Sequence, residues 1–302
     1  MSQAVILSKR DMALLGLLEM TPATAVQIRT ASVSFDEGPF RDERRVRERL
    51  LALCDAGFLQ SWPAAISGGG LMHYHRLTLN GFRVLHPDCS DSPPRTIVSR
   101  IAPSRFNHAM ATADIIVHTL SVAHTARVRV AKFHGDGAIV LTAGEYRQQP
   151  DCHFQFEHSG KVFNVLYEID NATEPLDSPR ESSIRTKLLG YEAYQDWVLQ
   201  AWRESSPPRT QRPCFRVVFL TRGSERASHI LWLARQCARN PCRGLCYATT
   251  QEAYLSEAQA VTSPCINDHH GGWHSLVNLH PSSRFLREPV RLSPPLAPVR
   301  IV

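Results

Sequence analysis

The chain is predicted to fold as an α+β head followed by an α/β body with a mixed sheet. Three observations predict that order. A basic helical stretch is followed by two alternating runs around a glycine cluster. A turn-rich stretch over 88–94 then interrupts the pattern. Beyond it, β-like runs interchange with helical periodicity from 105 to 250.

The 302 residues are enough for two domains of ordinary size. The predicted bounds are 1–94 for the head, 95–250 for the body and 251–302 for a proline-rich extension. A hydrophobic content of 43% supports packed cores over disorder. The formal net charge of +6 suits a nucleic-acid partner and suits an ordinary basic protein as well. The start shows no leader pattern, and no apolar run is long enough to span a bilayer. Eight cysteines are too sparse for a disulfide scaffold, so a reducing cytoplasm is the expected compartment, with no membrane partner.

In the head, Ser8 is placed to cap a helix whose apolar face carries Met12, Leu15 and Leu18, widened by Leu14 and Leu17. Thr21-Pro22 ends it. A short second helix over 24–28 is expected to turn Val26 and Ile28 inward. The third helix, over 41–56, sets Val46, Leu50 and Leu53 toward the core. Arg41, Arg44 and Arg45 fall on roughly the opposite side, with Arg47 and Arg49 flanking them. An apolar back and an arginine front suit the major groove of double-stranded DNA. Asp42, Glu43 and Glu48 temper that field. Gly57 closes the helix.

Two strands follow, 58–62 and 72–77, around the tip Ser67-Gly-Gly-Gly70. A hairpin after a basic third helix is the wing of a winged helix-turn-helix. His73, His75 and Arg76 on it are candidate contacts to backbone phosphates or the minor groove. Thr78 then caps a closing helix. A winged helix used for protein contact is the alternative.

In the body, Ser104 caps a predicted helix over 105–123. Strands are predicted over 127–133 and through His153, Phe154 and Phe156, with 139–141 between them a further short strand or a bend. The run 162–169 is almost continuously apolar, as a strand covered on both faces would be. A helix over 182–202, a strand over 215–220, a helix over 224–240 and a strand over 244–248 complete a mixed sheet with covering helices. There is no glycine-rich phosphate loop, which argues against an ATPase or a dinucleotide fold.

Pro150-Asp151, followed by Glu168-x-Asp170 at the end of the next strand, resembles the restriction-endonuclease-like superfamily. The fold class implied is an N-terminal winged helix-turn-helix followed by a restriction-endonuclease-like mixed-sheet domain. The resemblance implies Mg²⁺ or Mn²⁺ held by Asp151, Glu168 and Asp170, with a lysine two residues after the glutamate. Asp170 occupies that lysine position, and Lys187 on the following helix is the candidate for a displaced lysine. Asp151, Glu168, Asp170 and Lys187 are therefore the candidate catalytic residues. The alternative is a polar network, with Asp151 as a turn acceptor and Glu168 and Asp170 paired to Lys187 or Arg185.

The joined pattern is more specific. It runs from Arg10-Asp11 through Val46-Arg-Glu-Arg-Leu50 and Tyr74 to Leu77-Thr78 in the head. In the body it takes in Asn107-His108, Pro150-Asp151, Tyr167-Glu-Ile-Asp170, Thr173-Glu174, Lys187, Tyr191 and Tyr194. This resembles the replication-relaxation family of plasmids and mobile elements. The resemblance implies recurring residues at His108, Asp151, Glu168, Asp170, Thr173, Glu174, Lys187 and Tyr191. It also implies a DNA-binding protein of replication or maintenance, with replication or mobilisation proteins as partners and a homodimer reading paired half-sites. One departure is Lys132-Phe133-His134, where an acid belongs. Alternatives are a metal-dependent DNA endonuclease or nickase and a non-enzymatic interaction scaffold.

Cys237, Cys242, Cys246, Cys265, His269, His270 and His274 lack the paired short knuckles of a zinc finger. Thiolate and imidazole suit zinc, so a site assembled from these residues is one reading; the other takes Cys237 and Cys246 as small buried apolar residues.

Overall fold

The computed structural model describes residues 6–65, 69–89, 91–178, 183–205 and 214–277. The chain divides into two compact units, Met1–Thr125 and Ala126–Val302.

The first unit begins with α1 (Lys9–Met20), whose Ser8 and Asp11 form a capping box. Strand β1 (Ala23–Thr24) leads into α2 (Ala25–Ala31), again capped reciprocally by Thr24 and Gln27. Helix α3 (Glu43–Asp55) takes Asp42 as its N-cap. Strands β2 (Leu59–Ala65) and β3 (Leu71–Leu77) form the expected antiparallel wing, and β1 joins it to give the order β1-β3-β2. Pro63 sits on the edge strand, where no ladder hydrogen bond is lost. The expected tip is only partly covered, since residues 66–68 lie outside the described residues. Helix α4 (Leu79–Leu85) follows its Thr78 cap, and a single turn α5 (Arg95–Val98) leads to α6 (Phe106–Thr125).

Leu14, Leu15, Leu18, Ile28, Val46, Leu50, Leu53 and Leu77 form the core of this unit. Val26 departs from expectation and is 57% exposed. Ala25, Ile28 and Ala31 take the inner face of so short a helix, and Val26 is left pointing outward. Sequence placed α6 at the start of the second domain. In the structure it packs with the head: Val117 is part of the head core, and Gln27 Nε2 donates to Asp114 Oδ1 at 2.7 Å. The division therefore falls after Thr125 and not near 94.

The second unit has β4 (Arg129–His134), then a hairpin of β5 (Leu141–Ala143) and β6 (Tyr146–Gln148). Strands β7 (Cys152–His158) and β8 (Lys161–Asp170) form a second hairpin. Its two-residue turn, Ser159-Gly160, has φ of 50° and 72°, the mirror-image turn that suits strand twist. Helix α7 (Ile184–Glu204), β9 (Arg216–Thr221), α8 (Ser224–Cys237) and β10 (Cys246–Thr250) follow. Helix α9 (Gln251–Ser256) and the short strands β11 (Ile266–Asp268) and β12 (Trp273–His274) close the described chain.

Among the described residues the main sheet has seven strands in the order β12-β11-β10-β9-β8-β7-β4. Strands β8, β9 and β10 run parallel, and the others pair antiparallel. Residues 139–141, expected as a short strand or a bend, stand outside this sheet. The apolar Leu141 and Ala143 instead fold into the β5-β6 hairpin, which packs into the cluster built by α7. Part of the expected extension is also built into the body, because Tyr254, Val261, Ile266 and Leu276 are fully buried. Residues 278–302, the proline-rich stretch, lie outside the described residues.

Helices α7 and α8 cover one face of the sheet. Ile184, Leu188, Tyr191 and Tyr194 of α7 meet Leu166, Val217, Phe219 and Ala248, and Ile230 and Leu233 of α8 join them. Residues of β8 alternate between faces, so Glu168 and Asp170 share the side of Leu166. On the other side, Tyr167 and Tyr254 bring their hydroxyls within 3.1 Å.

Candidate functional site

Asp151 stands at the entrance to β7 and Glu168 near the exit of β8. Antiparallel pairing brings these two strand ends together: Cys152 opposes Tyr167, and Asp151 N donates to Tyr167 O at 3.0 Å. Asp151 Oδ2 accepts from Ile169 N at 2.6 Å, so this carboxylate fastens the end of the neighbouring strand. The charges of Asp151, Glu168 and Asp136 all bear on Cys152. Burial, reinforced by those charges, pushes its thiol well above the ordinary value. Negative charge is thus concentrated at this end of the hairpin. Asp136, just past β4, supplies an acid near the position where Lys132-Phe133-His134 lacks one.

Glu168 is buried, 2% exposed. Its Oε2 accepts from Lys187 Nζ at 2.8 Å, and its Oε1 accepts from the Tyr191 hydroxyl. Lys187 also pairs with Glu174 at 2.9 Å. Helix spacing explains the arrangement, because Lys187 and Tyr191 are four residues apart on one face of α7. Burial raises the Glu168 carboxyl to about 7, with Asp151 adding to the rise and Lys187 opposing it. Burial would lower the Lys187 ammonium, but Glu168 and Glu174 outweigh it and hold the group above its ordinary value. The two directions pull against each other, since a neutral Glu168 would not raise Lys187. We assign the titration near neutrality to Glu168. It is the more buried of the two and has Asp151 as an adverse neighbour, whereas Lys187 keeps a second partner in Glu174.

Asp170 is turned to a different cation. Arg226 on α8 donates to both of its oxygens and also to Glu174 O at 2.6 Å. Ala172 N donates to Asp170 Oδ1 at 2.9 Å. Arg185 pairs with Asp177 at 2.8 Å and takes no part. The three carboxylates expected from sequence to hold a metal thus each have protein partners in this structure. Glu168 and Asp170 spend their oxygens on Lys187, Tyr191 and Arg226, and Asp151 is engaged with Ile169. Among the described residues no three His, Cys, Asp or Glu side chains are grouped to hold a metal ion, which applies equally to the cysteines and histidines of 237–274. As arranged, this donor set does not fit Mg²⁺ or Mn²⁺.

The head supplies the second candidate surface. Arg41 is exposed just ahead of α3. Arg44 and Arg45 are exposed on the helix, and both pair with Glu48 at 2.9 Å. Arg47 pairs with Glu43. Exposed pairs of this kind are weak and exchange readily for phosphate. His73 is exposed on the wing, with its Nδ1 3.1 Å from Ser61 Oγ. Two predicted contacts are occupied inside the head instead. Arg49 grips the buried Asp11 through two hydrogen bonds of 2.5 Å. Arg76 is buried and donates to Thr96 O. His75 is buried too, and burial lowers its imidazole to about 4. On strand β3 the two side chains lie on opposite faces, Arg76 with Tyr74 and His75 with Leu77, and both are buried. His108 lies on α6 within the first unit.

Sequence reasoning missed a polar cluster on β4, β7 and β8. His134 and His153 stack with ring centroids 5.2 Å apart and Nδ1 atoms 2.9 Å apart. His153 Nε2 lies 3.3 Å from Asn164 Oδ1, which also accepts from Gln155 Nε2 at 2.9 Å. Burial lowers the His153 imidazole to about 3. The alternation of β7 carried the signal: Asp151, His153, Gln155 and Glu157 fall on one face.

No family model matches the chain, and no curated protein matches it. Two solved structures are similar to parts of it. One is Bacillus subtilis PadR in complex with operator DNA, at 16% identity, covering 38% of this chain and 68% of that one, with a TM-score of 0.24. The other is the restriction endonuclease FokI, at 12% identity, covering 83% of this chain and 43% of that one, with a TM-score of 0.29. The chain thus spans less than half the length of the second. Among the described residues no helix is long and apolar enough to cross a membrane.

Proposed function

We propose that this chain is a double-stranded-DNA-binding protein serving replication or maintenance of a plasmid or mobile element. The observation that carries the reading is the exposed Arg44 and Arg45 on α3, with Arg41 exposed just ahead of it, while the opposite side of the helix, Val46, Leu50 and Leu53, is locked in the head core. A fixed helix with exposed arginines outward, followed by a wing, suits a major groove flanked by phosphates. The replication-relaxation resemblance supports the biological setting, with replication or mobilisation proteins and a second copy of the chain as partners. The body acts in this reading as a nuclease-like scaffold that does not cut. Glu168 and Asp170 are neutralised by Lys187 and Arg226, so the charges that would otherwise gather a cation are compensated internally.

A second reading, a metal-dependent endonuclease or nickase, draws on one observation: Asp151, Glu168 and Lys187 meet at one end of the β7-β8 hairpin.

One experiment separates the two. Purified protein is incubated with supercoiled and linear duplex, with and without Mg²⁺ or Mn²⁺, beside an Asp151→Ala, Glu168→Ala double variant. The expected result is a shifted, uncut duplex with both proteins. Metal-dependent nicking that the double variant loses would replace the proposal with the endonuclease reading. Absence of any shift, across sequences including the element's own origin region, would leave an interaction scaffold.

A further inference from the structure

The far end of the β7-β8 hairpin carries a feature that neither the head nor the carboxylates explain. An open groove of about 830 Å³ runs over the edge of the sheet. Arg129 and Lys132 of β4, Gln155 and Glu157 of β7, and Lys161 with the Ser159-Gly160 turn supply its polar lining. Three permanent cations stand there against one carboxylate, Glu157, which Arg129 engages. The strand register explains why they gather. Arg129 opposes Glu157 and Lys132 opposes Gln155 across β4-β7, so all four share a face. That face continues along β7 through His153 toward Asp151. The groove and the carboxylates thus occupy opposite ends of one hairpin, about 20 Å apart at the usual strand rise.

We infer that this groove binds the phosphodiester backbone of duplex DNA, independently of base sequence. The inference rests on the DNA-binding reading and extends it from the head to the body. The chemistry is that of phosphate positioning: arginine and lysine for the charge, with Ser159 of the turn as a neutral group beside them. An acidic peptide adding itself to the sheet is the competing occupant, since β4 is an edge strand. The register breaks between Val130 and Lys132, and a bulge there interrupts the ladder an added strand needs. A polyanion lying over the face needs no such ladder.

The test is fluorescence anisotropy of the full chain with a short duplex of mixed sequence, measured across a salt series. Three variants are compared with the parent: Lys132→Gln with Lys161→Gln, Arg44→Ala with Arg45→Ala, and all four together. Each lost phosphate contact is expected to reduce the slope of log affinity against log salt by about 0.9, so each pair lowers it by about 2 and the set by about 4. An unchanged slope in the groove variant, with the head variant reduced, overturns the groove and leaves the head reading intact. The reverse pattern sustains the groove and removes the head. Displacement of duplex by poly-glutamate at equal charge concentration would assign the groove to acidic protein and overturn the inference. Lys161 is exposed at the hairpin turn, so Lys161→Glu alone gives a readout that does not depend on altering the strand interior. Its slope must fall at least as far as that of a single neutralised lysine.

Discussion

Lys187 Nζ on α7 lies 2.8 Å from Glu168 Oε2 on β8, and the contact joins a helix to the sheet at a carboxylate only 2% exposed. Removing the cation leaves that carboxylate with Tyr191 alone. Lys187→Met is expected to destabilise the protein by about 2–3 kcal/mol, below the range for a fully buried pair because Lys187 is about a quarter exposed. Glu168→Gln keeps an acceptor for Tyr191 and should cost less. Urea unfolding of both variants decides the order.

The same carboxyl makes stability depend on pH. Its folded value is raised from 4.5 to about 7, so the folded state binds more protons between those values. The contribution is fully present below 4.5 and is lost as pH rises through about 7. Glu168→Gln is expected to remove this downward slope of stability with pH in that window. An unaltered slope in the variant would assign it elsewhere.

His153 acts with the opposite sign. Its imidazole is lowered from 6.5 to about 3, so the unfolded chain takes up its proton first and stability falls as pH drops through that interval. In an NMR titration, the His153 ring resonances are expected to stay at neutral-imidazole positions until the pH approaches about 3. Protonation of His153 near its ordinary value of 6.5 would mean that the stack with His134 opens in solution.

Arginines of α3 are expected to separate by role. Arg49→Ala strands the buried Asp11, whose carboxyl is held below its ordinary value by hydrogen bonds from Arg49 and Ser8 that outweigh burial. The loss should be about 2–4 kcal/mol, read as a lowered Tm. Arg44→Ala with Arg45→Ala should change stability by no more than about 0.5 kcal/mol while weakening DNA binding. A similar loss of affinity from Arg49→Ala at temperatures where that variant is folded would return Arg49 to the DNA face.

Gly81 is required by a close approach. A Cβ there would lie 2.2 Å from Phe58 O, a backbone atom that cannot swing aside. Gly81→Ala is expected to cost about 1–3 kcal/mol and to loosen the junction between α4 and the wing. Chemical denaturation measures it directly.

What sequence conveyed and what it concealed follow from the range of the forces involved. Apolar periodicity is local, so Val46, Leu50 and Leu53, the wing and the parity of Glu168 and Asp170 were legible. The Lys187–Glu168 pair was legible as one of two alternatives, because Lys187 and Arg185 are the basic residues at the start of the next helix. Arg226 was not, since it lies 56 positions from Asp170 and nothing in its own helix marks that face as a carboxylate partner. The partners of Arg49 and Arg76 were hidden for the same reason: Asp11 and Thr96 are 38 and 20 positions away. Helix α6 was found but attached to the wrong neighbour. Its apolar residues declare that it packs, and only Val117 and the Gln27–Asp114 bond declare against what.

That attachment decides where the chain can be cut. A fragment ending at the turn-rich stretch near 94 would part Gln27 from Asp114 and leave the α2 side of the head without its cover. The compact head runs through Thr125, so a dissection of this protein is expected to succeed at a seam thirty-odd residues beyond the prolines that advertise one.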